Sequence, residues 1–336
     1  MSRIPDLLGL MESTNDFYLV APGRNDRSVY IQVDDICELA MKSWLYEDTL
    51  NRQEQAMKDL QSQKLVSSTK HKNALRNYFN GSITHHQLKQ YLNIVSDKNK
   101  RNRLNAVLRR HKAPQEWSAD KERGFKNFEE VIAELKVLKP IADDKGCTVQ
   151  EHQELHQVLD DIIERRRNRN AFFHDHKQTG LTITQQNCLS ALTDLYRLCE
   201  LLFSDALTKE MNKSAWAVCR LQIIAIRLKQ SGVTRERSLS IYEGYLRKQK
   251  PLTVSPSFGF YEYRLLHEDA FTMYEGVKSE FDQQIIAQKR EVERVEGIKK
   301  PTAAHLYKRQ QAESTATSLI DTWRDCFGEE WKPPLL

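Results

Sequence analysis

From Thr184 to Leu207 the apolar residues Leu189, Leu192, Leu195, Tyr196, Cys199, Leu202 and Phe203 recur at spacings close to three and four. A helix with 3.6 residues per turn gathers them into one stripe, whereas a strand would scatter them over both faces. The same period returns along the chain. Ile36, Leu39, Ala40, Trp44 and Leu45 carry it after Asp34, where Asp34 or Asp35 is the expected N-cap. Leu155, Val158, Leu159, Ile162 and Ile163 carry it again, and "AWAVCRLQIIAIRLKQ" (215–230) is apolar enough to be a core helix. Breakers are few, with 12 glycines and 9 prolines in 336 residues, so the periodicity predicts an all-α chain.

Further helices are expected over about 68–80, 84–96 and 100–112, and across "FKNFEEVIAELKVLK" up to Pro140. Others are expected over about 148–169, 234–248 and 261–297, with a terminal helix after Pro301. One stretch reads differently. "FYLVAPGRNDRSVYIQV" (17–33) has two short β-prone runs about Pro22-Gly23 and Asn25-Asp26, and is read as a short β-hairpin near the N-terminus. The expected organisation is therefore an N-terminal arm with the hairpin (1–33), a helical bundle (34–209) and a C-terminal helical region (210–336), with the loop at 250–260 as the hinge candidate.

Composition excludes several classes. The six cysteines form no CxxC and no short Cys/His ladder, which argues against a zinc finger and against a disulfide framework in a chain of this length. The apolar run at the N-terminus is broken by Gly9 and by acids, unlike a signal peptide, and no window reaches 18 apolar residues. A reducing cytoplasm, with no membrane contact, is the expected address. The net charge of +5 permits an anionic partner without demanding one.

The chemistry concentrates in "RNRNAFFHDH", Arg167 to His176. Carrying the stripe of Leu155, Val158, Leu159, Ile162 and Ile163 forward gives Arg166, Arg169 and Phe173 on the buried side. Arg167 falls about 140° from Ile162 and is expected in solvent, three residues beyond Glu164. Arg165, four residues beyond Asp161, is likewise read as a surface ion-pair residue. Arg169 points where a core or an interface should be, and a guanidinium there needs a partner, for which a phosphate suits its bidentate fork. A plain alternative is an arginine-rich helix end favoured by the helix dipole. Phe172 and Phe173 are read as packing residues rather than stacking platforms.

Arg169-Asn170-Ala171-Phe172-Phe173-His174 matches RNxxxH and resembles the signature of the HEPN-superfamily ribonucleases; the long helix before it and the helix after it are similar to the helical HEPN bundle. The resemblance covers about 148–207. It implies a metal-independent endoribonuclease, with no cofactor, acting on RNA at a site assembled from two facing motifs. This chain has one good motif, so a homodimer is implied. In that reading Arg169 binds the scissile phosphate, Asn170 orients the phosphate or the histidine, and His174 is the general acid or base for attack by the ribose 2′-hydroxyl. A role as toxin or antiviral-defence effector, with an antitoxin or regulatory partner, is implied by the family alone. Positions 169 and 174 stand about 140° apart on a straight helix, so they meet within one chain only if the helix ends near 170–173. Two copies resolve that separation more naturally.

Two other clusters bear on function. "EHQELHQ" sets His152 and His156 one turn apart, but HExxH needs glutamate where Gln153 stands, and a solvated helix face is the better reading; no metal ligands are assigned. The basic segment 98–112 carries Arg101, Arg103, Arg109 and Arg110 besides three lysines, a density that suits an RNA backbone, against the simpler reading of a solvated face. There is no Gly-rich phosphate loop, GxSxG or Rossmann fingerprint. The competing reading for the whole chain is a non-catalytic helical module that binds RNA or protein.

Overall fold

The computed structural model describes residues 4–20, 23–111, 127–137, 149–174, 183–230, 236–249 and 270–333. They form twelve helices: α1 (Ile4–Val20), α2 (Asp26–Ser62), α3 (Thr69–Phe79), α4 (His85–Tyr91), α5 (Lys98–Arg110), α6 (Phe128–Val137), α7 (Val149–His174), α8 (Gln185–Leu207), α9 (Glu210–Gln230), α10 (Glu236–Gln249), α11 (Ala270–Glu296) and α12 (Ala303–Phe327). No strand occurs among the described residues, so this part of the chain is all-α. The chain divides into two compact units, residues 3–37 with 160–336, and residues 38–159. The divisions fall inside α2 and α7, not at the 33/34 and 209/210 breaks expected from sequence. The loop at 250–260 and the helix start at 261–269 lie outside the described residues.

The expected hairpin is a correction. Phe17 to Val20 complete α1, and Asp26 to Val33 already belong to α2. Val29, Tyr30, Val33, Ile36 and Cys37 are buried at helical spacing, so the β-branched residues are there to fill a helix face. Gly23, at φ +85°, makes the turn between the helices, and its N–H donates to Asp26 Oδ1 at 2.9 Å. Asp34 is consequently no N-cap but an interior residue of α2.

In the unit formed by residues 38–159, α3 to α5 and the end of α2 enclose a core of Leu60, Leu75, Leu88, Leu92, Ile94 and Leu104. Short polar signals set the helix starts: Ser68 accepts from His71 N, Thr84 and Gln87 form a capping box, and Asp97 accepts from Lys100 N. In the other unit α9 to α12 pack Leu221, Ile224, Tyr242, Phe281, Trp323 and Phe327 together. A buried polar joint ties α1 to α8 and α9. Asn15 Nδ2 donates to the Tyr196 hydroxyl at 2.6 Å and to Gln222 Oε1 at 3.0 Å, while Tyr196 donates to Cys219 O at 2.7 Å. Arg220 of α9 donates to the Tyr274 hydroxyl at 2.8 Å and to Phe327 O at 2.7 Å, joining α11 and α12.

Candidate functional site

Helix α7 buries Leu155, Val158, Leu159 and Ile162, as the period predicts, leaves Ile163 of the expected stripe half-buried, and then places arginines on the continuation of that face. The first of them corrects the sequence reading. Arg165 is 6% exposed, and its Nη1 is paired with Asp194 of α8 rather than with a surface acid. Three residues from Ile162 is only about 60° around the helix, so Arg165 belongs to the buried stripe. Its Nη2 also comes within 3.9 Å of Cys37 Sγ.

Arg169 has a mate inside its own chain. Its Nη1 lies 2.7 Å from Oδ2 of Asp34, whose side chain is wholly buried, and 3.5 Å from Oδ1 of the exposed Asp35. Arg166 Nη1 stands 3.6 Å from the same Asp34 oxygen. Neither oxygen of Asp34 accepts an aligned hydrogen bond, so the attraction is ionic. Burial pushes the Asp34 carboxyl above its ordinary value, and the guanidinium groups of Arg169, Arg166 and Arg165 offset that only in part. Asp194 shifts upward for the same reason, with Arg165 opposing, and burial pushes the Cys37 thiol up to about 12.

The rest of the Arg169 guanidinium is held loosely. Nε and Nη2, the two nitrogens of its fork, each meet Asn170 Oδ1 at 3.4 Å, near the outer limit of a hydrogen bond. Asn170 itself is exposed. A bidentate phosphate at the fork would exchange two long contacts to one neutral oxygen for two charge-assisted bonds. Arg167 faces solvent, as its phase predicts.

Helix α7 runs on through His174, so positions 169 and 174 remain about 140° apart around its axis. The side chains of residues 171–174 lie outside those described, as does the polar stretch after them.

The four arginines of the basic segment sit on α5, in the other compact unit. Arg103, Arg109 and Arg110 are exposed and Arg101 is half-buried. Arg110 stands 3.5 Å from Asp59, and Arg101 donates to Val95 O. The rings of His152 and His156 are 4.5 Å apart, and among the described residues no three His, Cys, Asp or Glu side chains gather as a metal set. No described helix is long and apolar enough to cross a membrane. Comparison with protein-family models, with curated proteins and with solved structures gives no match.

Sequence reasoning missed Asp34 and Asp194. The signal for Asp34 was present: an acid in phase with Tyr30, Cys37 and Met41 interrupts an apolar stripe just as Arg169 does on α7. Placing the start of α2 at Asp34 hid it, because a capping acid needs no cationic partner.

Proposed function

We propose that this chain is a metal-independent endoribonuclease of the HEPN type. The reading is supported by one observation above the others: Asp34 fixes Arg169 through Nη1, while the Nε–Nη2 fork is met by a single amide oxygen at 3.4 Å. An arginine anchored at one nitrogen and open at its fork is pre-organised to take a phosphate.

In the proposed reaction the ribose 2′-oxygen attacks phosphorus and the bond from phosphorus to the 5′-oxygen breaks. A base takes the 2′-hydroxyl proton, and an acid returns a proton to the departing 5′-oxygen. The products are a 2′,3′-cyclic phosphate and a 5′-hydroxyl. His174 supplies one proton transfer and its copy in a second protomer the other, with Arg169 offsetting charge on the phosphorane and Asn170 orienting the phosphate. The helical continuation through His174 supports the homodimer, since it keeps positions 169 and 174 apart within one chain. The partner that a guanidinium on this face needs is supplied within the chain by Asp34, so that need lends the homodimer no support. A toxin or antiviral-defence role in the cytoplasm, restrained by an antitoxin or regulatory partner, belongs to the same proposal.

The deciding experiment is RNA degradation in EDTA by the purified chain. Wild type should cleave and leave cyclic phosphate ends, while Arg169→Ala and His174→Ala should be inactive with unchanged circular dichroism. The second reading, a non-catalytic helical RNA-binding or protein-interaction module, is favoured by the Asp34 pair, which satisfies Arg169 without a substrate. Absence of cleavage under every activating condition would select it.

A further inference from the structure

The surface of α3, α4 and α5 carries an unusual concentration of charge. Residues 64–111 contain eleven lysines and arginines against a single acid, Asp97, whereas the whole chain nets only +5. This segment is thus +10 and the remainder −5. Its one acid is occupied: Asp97 Oδ1 accepts from Lys100 N at 2.9 Å, and Oδ2 is 3.4 Å from Lys100 Nζ. The acid of α2 that approaches α5, Asp59, is met by His111 at 2.8 Å and Arg110 at 3.5 Å. The hydrogen bond from His111 is the main reason its carboxyl lies below the ordinary value.

The charge is displayed outward. The apolar sides of α3, α4 and α5 are spent on the core through Leu75, Leu88 and Leu104. Lys72 and Arg76 on α3, and Arg103 and Arg109 on α5, are exposed, and none of them has an acidic partner among the described residues. Arg103 and Arg109 are six residues apart, about 120° in phase and about 9 Å along the axis, so the exposed side of α5 presents charge over a broad arc rather than along one ridge.

We infer that this face docks RNA along its phosphate backbone. The docking stands on the surface charge, and only the choice of RNA over DNA rests on the ribonuclease reading. Three features favour a polynucleotide over other polyanions. A membrane-surface helix turns a broad apolar face outward, but here those faces are buried and only Tyr91 and Val95 are exposed large apolar residues in the segment. A protein interface would need apolar or aromatic anchors at its centre, which evenly spread cations do not supply. Among the basic residues of α5 stand the exposed Asn99 and Asn102, carboxamides able to donate and accept toward sugars and base edges.

The test measures binding of the full-length chain to 2′-O-methyl RNA, which has no free 2′-hydroxyl to attack with, so its outcome is independent of cleavage. Binding should weaken with salt. Replacing Lys72, Arg76, Arg103 and Arg109 together by Gln should lower affinity at least about tenfold and flatten the slope of log K against log salt by about 3, at about 0.7 for each phosphate no longer neutralised. Arg103→Lys with Arg109→Lys should keep the wild-type slope, since the charge remains. Should the fourfold variant fail to fold, the two pairs on α3 and α5 are measured separately, each expected to remove about half the slope change. Unchanged affinity and slope would overturn the proposal. So would stronger binding to duplex DNA, to phosphatidylserine vesicles or to polyglutamate than to RNA. A chain that cleaves nothing yet binds with the expected slope retains this surface and loses only the ribonuclease reading.

Discussion

Arg169 Nη1 lies 2.7 Å from Oδ2 of Asp34, an acid wholly buried in the body of α2. The pair joins two residues 135 positions apart in sequence, each breaking an apolar stripe on its own helix. It makes the end of the motif helix part of the folded unit containing α1 and the start of α2. Its energetics have a testable sign. Burial raises the Asp34 carboxyl above its ordinary value despite three neighbouring guanidinium groups, so the folded state favours the proton more than the unfolded chain does. The contribution of this group to stability is then fully present below its unfolded value, near 3.8, and is lost as pH rises through the raised folded value.

The Asp34→Asn variant lacks that titration. Relative to wild type it should gain stability as pH rises from about 4 to 7, because wild type alone must ionise a buried acid. Urea melts of both proteins across this range measure the difference. A variant that instead loses ground toward neutral pH would show that the arginines outweigh burial and that the carboxyl is depressed.

Arg165 and Asp194 make the stronger structural case. Their side chains are 6% and 15% exposed, so truncating one strands the other in a poor solvent. Arg165→Ala should cost about 3–5 kcal/mol, whereas Arg165→Met combined with Asp194→Leu should recover most of it, since an apolar pair of similar volume avoids the desolvation of both ions. Arg167→Ala, on the exposed side of the same helix, should stay within about 0.5 kcal/mol of wild type. Denaturant midpoints for the four proteins check the ordering.

Gly276 in α11 should resist replacement by alanine. Helix propensity alone favours alanine by about 1 kcal/mol. Here a Cβ would run into the hydroxyl of Tyr245 on α10 and into Cζ and Cε1 of its rigid ring, so the whole side chain would have to shift. The overpacking should cost about 1–3 kcal/mol and reverse the sign. Gly276→Ala placed on a Tyr245→Ala background should show no such cost; equal penalties on both backgrounds would locate the effect elsewhere.

How much of this was legible follows from period and phase. α3, α5, α8 and α12 begin close to their expected starts because the capping residues Ser68, Asp97, Thr184 and Thr302 stand directly before them, and α7 starts within a residue or so of where its apolar period begins. Residues 17–33 failed because Val29, Tyr30 and Val33 are good strand formers, and tertiary burial on a helix face outweighed their propensity. Arg165 failed because a nearby Asp161 offered a local partner, while the real one, Asp194, is 29 residues away on α8. The motif could be read as a string. The partners that hold it in place come from other helices, where sequence spacing carries no information.

Arg169→Lys separates the two uses of the motif arginine. A lysine ammonium can remain beside the buried Asp34 and keep the ionic attraction that Arg169 makes through Nη1. It cannot reproduce the planar Nε–Nη2 fork, which in the arginine meets only Asn170 Oδ1 at 3.4 Å. If the fork takes the scissile phosphate, the lysine variant should melt within about 1 kcal/mol of wild type, since the pair and its charge persist. Its cleavage rate should nonetheless fall about 100-fold, the scale of losing one preorganised donor to a developing anion. Arg169→Ala should lose both stability and cleavage, because it also leaves Asp34 buried without its nearest cation. Single-turnover rates on a short RNA in EDTA, set beside denaturant midpoints, give both quantities for each protein. Should the lysine variant cleave at the wild-type rate, the fork has no part in the chemistry and Arg169 serves Asp34 alone.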